Sequence, residues 1–410
     1  MTKNILKQVL AEIKPEKEKV REVEEFLKKL NSCLKKLKIK AKAAAGGSYA
    51  KNTWLKEDYD VDIFVKFDMK YKDKNLSKLL KKALKVFKPE LVHGSRDYFW
   101  VKNLIKFEIV PVLDIKKAEQ AENITDFSPW HVKWVNTKGK KYKNDIRLAK
   151  KFCKAQGVYG AESYIKGFSG HVVDILVIYH KGFKPLLRAA VKWKPKTVID
   201  PTGKVGKKAV MVLNKSKIQG PLIVIDPVQP DRNAAAAVNM KMFETFIKSA
   251  KKFLKKPSAE AFEPKKVDWG NYKKKGTVVL INVTVPEGKE DPVGAKLLKA
   301  YLFIKKKLRD FEPIPEGGWS WNKEKKKAVF GYVLKNKKLP ATYERVGPKT
   351  EFTEGVHHFK KKHKKTKMKK GRIVTVLKYK HREPEPFLKE VFKDKYLNGK
   401  VKKCRMKSLS

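Results

Sequence analysis

Cysteine is scarce: Cys33, Cys153 and Cys404 are the only three in 410 residues. Their spacing fits no zinc motif, and an odd number of thiols cannot pair into a disulfide framework. A reducing, cytoplasmic setting is what this predicts. Long apolar runs are missing too. No stretch of about 18 apolar residues occurs, so no membrane-spanning helix is expected. The start, Met1 to Leu6, lacks the unbroken apolar segment of a signal peptide. Gly203-Lys204 and Gly206-Lys207-Lys208 lack Walker spacing, which excludes a P-loop, and no internal repeat is visible. The scarcity that matters most is of negative charge. Against 98 Lys+Arg stand 43 Asp+Glu, a formal net charge of +55. Self-repulsion of that size opposes a compact state. A polyanionic partner relieves it and releases counterions on binding. Hydrophobic residues make up 41% of the chain, with 21 Phe, 14 Tyr and 8 Trp interleaved among the charges. That is enough for a buried core, in about two to four domains by ordinary domain size. Composition therefore points to a folded protein that binds nucleic acid, not to a basic tail.

Where acids do occur, their placement is informative. Gly47-Ser48 is followed, past Tyr49 to Tyr59, by Asp60-Val61-Asp62. Alternate side chains of a β-strand share a face, so Asp60 and Asp62 project together, about 7 Å apart along the strand. Two carboxylates on one face repel unless a cation lies between them, and a hard divalent ion such as Mg²⁺ fits. The Gly-Ser turn can offer backbone N–H groups and a hydroxyl to phosphate oxygens. A third acid, Glu108, sits in the β-rich run Ile105–Val112 between Phe107 and Ile109. A carboxylate there is costly unless it is paired or bound to metal. Three such acids beside a phosphate cradle are the minimal equipment for metal-assisted phosphoryl or nucleotidyl transfer.

The pattern of Gly-Ser, acidic-x-acidic pair and distant third acid resembles the nucleotidyltransferase superfamily that includes DNA polymerase β. The likeness is closer to one branch. Gly47-Ser48-Tyr49-Ala50-Lys51-Asn52-Thr53-Trp54-Leu55 is similar to the opening motif of the archaeal, class I CCA-adding enzymes. So are Gly157–Glu162, Lys166-Gly167-Phe168-Ser169-Gly170, and Asp226-Pro227-Val228 with Arg232-Asn233, in the family's order and with similar spacing. The resemblance runs from about Val20 to about Phe262 and continues more weakly beyond. It implies template-independent transfer of two CMP and one AMP from CTP and ATP to the 3′ end of tRNA. By the resemblance Asp60, Asp62 and Glu108 are the catalytic and metal-binding residues, with Mg²⁺ as the cofactor. Gly47, Ser48, Lys51, His131, Lys150, Tyr159 and Arg232 are then the nucleotide-binding residues. Arg232 would meet the incoming base and the others the triphosphate. The family commonly has Glu where Asp60 stands and Asp where Glu108 stands, which keeps the charge and moves the oxygens by about one methylene. A homodimer is also implied. Two other readings stay open on the residues alone: a poly(A) polymerase or oligoadenylate-synthetase-like enzyme on the same scaffold, and a non-catalytic RNA-binding protein.

Periodicity predicts a multidomain α+β chain, and the resemblance names its parts. A nucleotidyltransferase catalytic sheet with flanking helices spans 1–118, a helical central domain that binds nucleotide and tRNA spans 119–264, and an α+β RNA-binding tail spans 265–410. Residues 1–40 read as helix, followed by strands at Val61–Phe67, Tyr98–Val101 and Ile105–Val112 with a helix at Leu76–Phe87. Helices are expected at Asn144–Gln156, ending at Gly157, at Gly167–His180 and at Ala234–Leu254, with a short strand at Leu222–Ile225. The pattern changes after Lys265-Lys266. Strands at Thr277–Val285, Ala328–Leu334 and Ile373–Tyr379 and a helix at Ala295–Leu308 are expected there. The basic segment His357–Lys370 reads as a loop lying over phosphates.

Overall fold

The computed structural model describes residues 2–58, 60–203, 205–208, 211, 213–264, 269–323 and 325–409. The pattern change at Lys265-Lys266 lies outside them. The chain forms two compact units, Met1–Lys265 and Lys266–Ser410.

In the first unit the N-terminal helical run is two helices, α1 (Thr2–Ile13) and α2 (Lys17–Lys36). The break falls at Pro15, whose ring and missing N–H do not suit a helix interior. Five strands follow: β1 (Ala41–Ala45), β2 (Asp60–Phe67), β3 (Glu90–Val92), β4 (Tyr98–Lys102) and β5 (Lys106–Leu113). They form one sheet in the order β1-β2-β5-β4-β3. The β2–β5 pair is parallel and every other neighbour is antiparallel. Helix α3 (Gly47–Ala50) joins β1 to β2, and α4 (Leu76–Leu84) lies between β2 and β3. One face of the sheet, carrying Val61, Ile63, Val65, Phe67, Phe107 and Ile109, is buried under α2 and α4. Phe26 of α2 stacks on Phe107 with ring centroids 4.1 Å apart. Because side chains alternate, Asp62, Phe64, Glu108 and Val110 must face the other way. The apolar side therefore dictates where the carboxylates point.

A second core is built from helices α5 (Ser128–Lys138), α6 (Lys143–Ala155), α7 (Gly170–Tyr179) and α8 (Phe183–Ala190) with Met240–Lys255. Its centre is Phe152, within 6.3 Å centroid distance of Phe183, Phe246, Phe253 and Phe262. Gly157 follows α6 with φ +69, the left-handed conformation of a C-terminal cap. Helix α7 starts three residues later than its apolar stripe suggests. Ser169 caps it by accepting from the Val172 N–H at 3.2 Å, while Gly167 and Phe168 bond back to Gly160 and Val158. The helix expected from Ala234 begins only at Met240. Asn233 holds the alanine run to the short strand Leu222–Val224, accepting from the Val224 N–H, and Ala234 donates to the Val224 carbonyl.

The second unit has a four-stranded antiparallel sheet in the order Lys403–Leu409, Thr277–Thr284, Lys327–Leu334, Pro313–Asn322. Helix Glu290–Lys307 buries Val293, Leu297, Ala300 and Ile304 in its core. A three-stranded sheet (Thr342–Lys349, Arg372–Lys378, Thr366–Lys369) carries the helix Thr353–Lys362. The loop expected over His357–Lys370 is thus corrected to the end of this helix and a hairpin strand. Two features that charge count hid explain it. Phe359 packs where any side chain on Gly347 would stand, beside Ile373. Lys370 and Gly371, with φ +47 and +70, close a tight hairpin of the kind that needs left-handed residues.

Candidate active site

The site begins with register. Asp62 of β2 lies directly opposite Glu108 of β5, and Asp60 opposite Lys106. Parallel pairing in register places the two acids side by side on the face away from the core. Burial, and then the charge of Glu108, push the Asp62 carboxyl up to about 6. Asp60 is at the rim, with Lys106 Nζ 2.8 Å from its Oδ1 and its side chain 69% exposed. Trp100 of β4, opposite Glu108 in the next register, donates its Nε1–H to Glu108 Oε2 at 3.0 Å.

Gly47 opens α3 beneath the pair with φ +48. A Cβ on it would sit 1.6 Å from Asp62 Oδ2. Only a residue without a side chain tolerates both the backbone conformation and the approach. The Gly46 N–H donates to the Asp62 carbonyl at 2.7 Å, which ties the turn to the strand. The donor set is of the kind a hard divalent cation takes: carboxylate oxygens only, with Asp62 and Glu108 paired in register and Asp60 on the same face at the rim.

Opposite these acids stand cations from other elements. Gly47, Lys51, Asp62, Glu108, His131, His171 and Arg232 line one cleft of about 360 Å³. Lys51 Nζ lies 2.8 Å from Asp174 Oδ2, and Lys150 Nζ lies 3.4 Å from Asp174 Oδ1 and 3.0 Å from Thr53 Oγ1. Desolvation works against the Asp174 charge, but Lys150 and Lys51 hold the carboxyl below its ordinary value. Burial pushes Lys150 down, against Asp174. Tyr159 lies beneath, its hydroxyl oxygen 2.7 Å from where a Cβ on Gly170 would stand, and burial raises it. Ser48 belongs to the α3 turn, where its carbonyl accepts from the Thr53 N–H at 2.9 Å.

Asp226 is a second hub, with its side chain fully buried. It accepts from His131 Nε2 at 3.1 Å, Arg232 Nη1 at 3.1 Å and the Val228 N–H at 2.9 Å, with His171 Nε2 at 3.4 Å. Desolvation opposes its charge, and the two histidines keep the carboxyl well below the usual range. Burial lowers His171 to about 4. His131, His171 and Asp226 could also hold a metal ion by spacing, but Arg232 on the same carboxylate makes the hub a hydrogen-bonded cluster first.

The structure brings Gly47, Lys51, Asp62, Glu108, His131 and Arg232 to one cleft. Asp60 is at the edge, held by Lys106. Lys150 and Tyr159 lie behind Lys51 around Asp174. Sequence reasoning missed Asp174, His171, Trp100 and Lys106, and gave Asp226 no role. One signal was available: Asp174 interrupts the apolar run Val172-Val173-Asp174-Ile175-Leu176-Val177, where an acid needs a partner.

Residues 20–148 match the nucleotidyltransferase domain family, and residues 144–263 match the tRNA nucleotidyltransferase second-domain family. A cytoplasmic RNA terminal U-transferase has the same fold over 64% of this chain and 98% of its own, at TM-score 0.52 and 15% identity. A poly(U) polymerase does so over 64% and 98%, at TM-score 0.52 and 14% identity. Fold and cleft together define a nucleotidyltransferase. The CCA-adding enzyme of Saccharolobus shibatae is 32% identical over 96% of this chain and 93% of its own length. That of Sulfurisphaera tokodaii is 34% identical over 84% and 81%. That of Nanoarchaeum equitans is 41% identical over 62% of this chain, a match spanning 63% of that protein. The chain belongs to the CCA-adding enzyme family, the tRNA nucleotidyltransferases. This favours CCA addition over the poly(A) polymerase reading.

Proposed function

We propose that the chain transfers CMP twice and AMP once, from CTP and ATP, to the 3′ end of tRNA. The tRNA 3′-oxygen forms a bond to the α-phosphorus, the α–β phosphoanhydride bond breaks, and pyrophosphate and a proton leave. The observation that carries the reading is the register pairing of Asp62 with Glu108 above Gly47, in a cleft that also holds Lys51, His131 and Arg232. Nucleotidyltransferases of this kind generally use divalent metal; here we assign Mg²⁺ to Asp60, Asp62 and Glu108. When bound it supplies charge neutralisation and a more acidic 3′-hydroxyl. The residues do the rest by position. Lys51, backed by Lys150 and Ser48, meets the triphosphate; His131 sits between phosphates and the Asp226 hub; Tyr159 supports Lys150 from below. Arg232 presents a planar fork that can meet acceptors on cytosine or adenine.

Residues 1–118 serve as the catalytic part, 119–264 bind nucleotide and tRNA, and 265–410 bind tRNA as a tail. The +55 net charge supports phosphate and shape recognition of an RNA helix. Homodimeric assembly and a cytoplasmic setting are part of the same proposal; no described helix is long and apolar enough to cross a membrane. The test is incubation of a tRNA transcript lacking its CCA with Mg²⁺ and labelled CTP and ATP, resolved to single nucleotides. Growth by C, C and A supports the reading. A long A ladder, or binding without addition, overturns it.

A further inference from the structure

Two side chains outside the proposed ligand set touch its outer carboxylates. Trp100 Nε1 donates to Glu108 at 3.0 Å, and Lys106 Nζ lies 2.8 Å from Asp60 Oδ1. The two are also joined to each other, since Lys106 Nζ stands 4.8 Å from the centroid of the Trp100 ring. Register makes this a built arrangement: Lys106 faces Asp60 across β2–β5, and Trp100 faces Glu108 across β4–β5. Lys106 and Glu108 are two residues apart on β5, so both emerge on the carboxylate face. The chain thus runs Asp60, Lys106, the Trp100 ring, the Trp100 N–H, Glu108, with Asp62 beside the last.

We propose that Trp100 and Lys106 are positioning residues that control divalent-cation uptake by the carboxylate triad. The inference rests on Asp60, Asp62 and Glu108 being the ligands. Trp100 fixes the rotation of Glu108 by holding one oxygen, which leaves the other free to meet a cation beside Asp62. Lys106 acts as an internal monovalent counterion. A divalent cation reaching Asp60 must break the Lys106 ion pair, and the face of Trp100 gives the displaced ammonium a place to rest. The pair is solvent-exposed on the Asp60 side, so it is weak enough to be displaced. Without nucleotide the site then holds its outer cation loosely. A nucleotide, whose phosphates supply further oxygen ligands, shifts the balance, so cation and nucleotide arrive together.

The experiment is titration of the full chain with Mn²⁺ in the absence of nucleotide and tRNA, reading free Mn²⁺ by its electron paramagnetic resonance signal. Thermal melting of each variant confirms folding. Asp62→Asn weakens binding by about tenfold or more if the ligand assignment holds. Lys106→Met tightens it by about fivefold, the order expected from removing one exposed ion pair. Lys106→Arg keeps wild-type affinity, because the counterion is restored. Trp100→Phe weakens it by about tenfold, as expected for losing a hydrogen bond behind a ligand. Should Asp62→Asn leave binding unchanged, the ligand assignment falls and the proposal with it. Should Asp62→Asn weaken binding while Lys106→Met does not tighten it, the counterion role falls and the ligands stand. Wild-type binding by Trp100→Phe overturns the role of the indole.

Discussion

Replacing Gly47 with alanine separates geometry from backbone strain at the centre of the site. The added Cβ would lie 1.6 Å from Asp62 Oδ2. Ordinary contact requires about 3.5 Å, so the carboxylate, the turn or both must retreat by about 2 Å. Misplacement of a reacting group by about 1 Å can cost a factor of about 100 in rate, so kcat for nucleotide addition falls by at least that much. The left-handed backbone (φ +48) adds a stability cost of about 1–2 kcal/mol for any L side chain. Gly203 provides the control. Its φ is +72 and a Cβ there would have nothing within 4 Å. Gly203→Ala should carry the same backbone cost and keep its kcat. The assay is single-turnover extension of a tRNA lacking its CCA, with thermal melting of both variants in parallel. If Gly47→Ala adds nucleotides within about threefold of Gly203→Ala, the close approach of turn to carboxylate is not what organises catalysis.

Other perturbations address the remaining parts. Asp174→Asn leaves the two lysine ammonium groups buried without their shared counterion; a loss of about 3–5 kcal/mol is expected, seen as a lower urea midpoint, and Lys150→Met in the same chain should recover part of it. Arg232→Ala should raise KM for CTP and for ATP while tRNA affinity stays within twofold, read by steady-state kinetics with each nucleotide; an unchanged KM for both would remove Arg232 from base contact. Burial holds His180 at about 4, below its unfolded value of about 6.5. The folded pKa is depressed, so the unfolded chain takes the proton first. The contribution of His180 is complete above about pH 6.5 and is lost as pH falls through about 4. His180→Phe should therefore lose less stability than wild type between pH 7 and pH 4.5, measured by urea denaturation. Removing divalent metal with EDTA should abolish addition, and excess Mg²⁺ should restore it; persistence in the chelator would refute the assignment of the carboxylates to metal.

The acids of the site were legible because a strand's period of two is simple. Asp60, Asp62 and Glu108 stand out against Val61, Ile63, Phe107 and Ile109, whose burial under α2 and α4 decides which way the polar residues turn. What joins them was less legible. That β2 and β5 are parallel and in register depends on tertiary pairing across α4 and two intervening strands, and no local pattern encodes it. Asp174 could have been suspected from its apolar neighbours, but its partners Lys51 and Lys150 come from distant positions among many lysines. The edge strand Pro313–Asn322 was missed because Pro313, Pro315, Gly317 and Gly318 read as turn residues, and an edge position tolerates them. In His357–Lys370 the lysines masked one aromatic anchor, Phe359, and a hairpin signal, Lys370-Gly371. Net charge describes what a segment meets in solution; it does not describe what one buried ring can hold in place.

The register of β2 against β5 also limits how this gene can change length. A shift of one residue would set Phe107 opposite Asp62 and turn Glu108 into the core opposite Ile63. A codon gained or lost within Lys106–Leu113 therefore exchanges a ligand for a core residue at a stroke. The same event between Phe67 and Tyr98 falls partly in turns at the sheet's edge, where the chain can take up slack. Insertions and deletions in descendants of this sequence should accumulate in that interval and stop abruptly at the borders of the two strands.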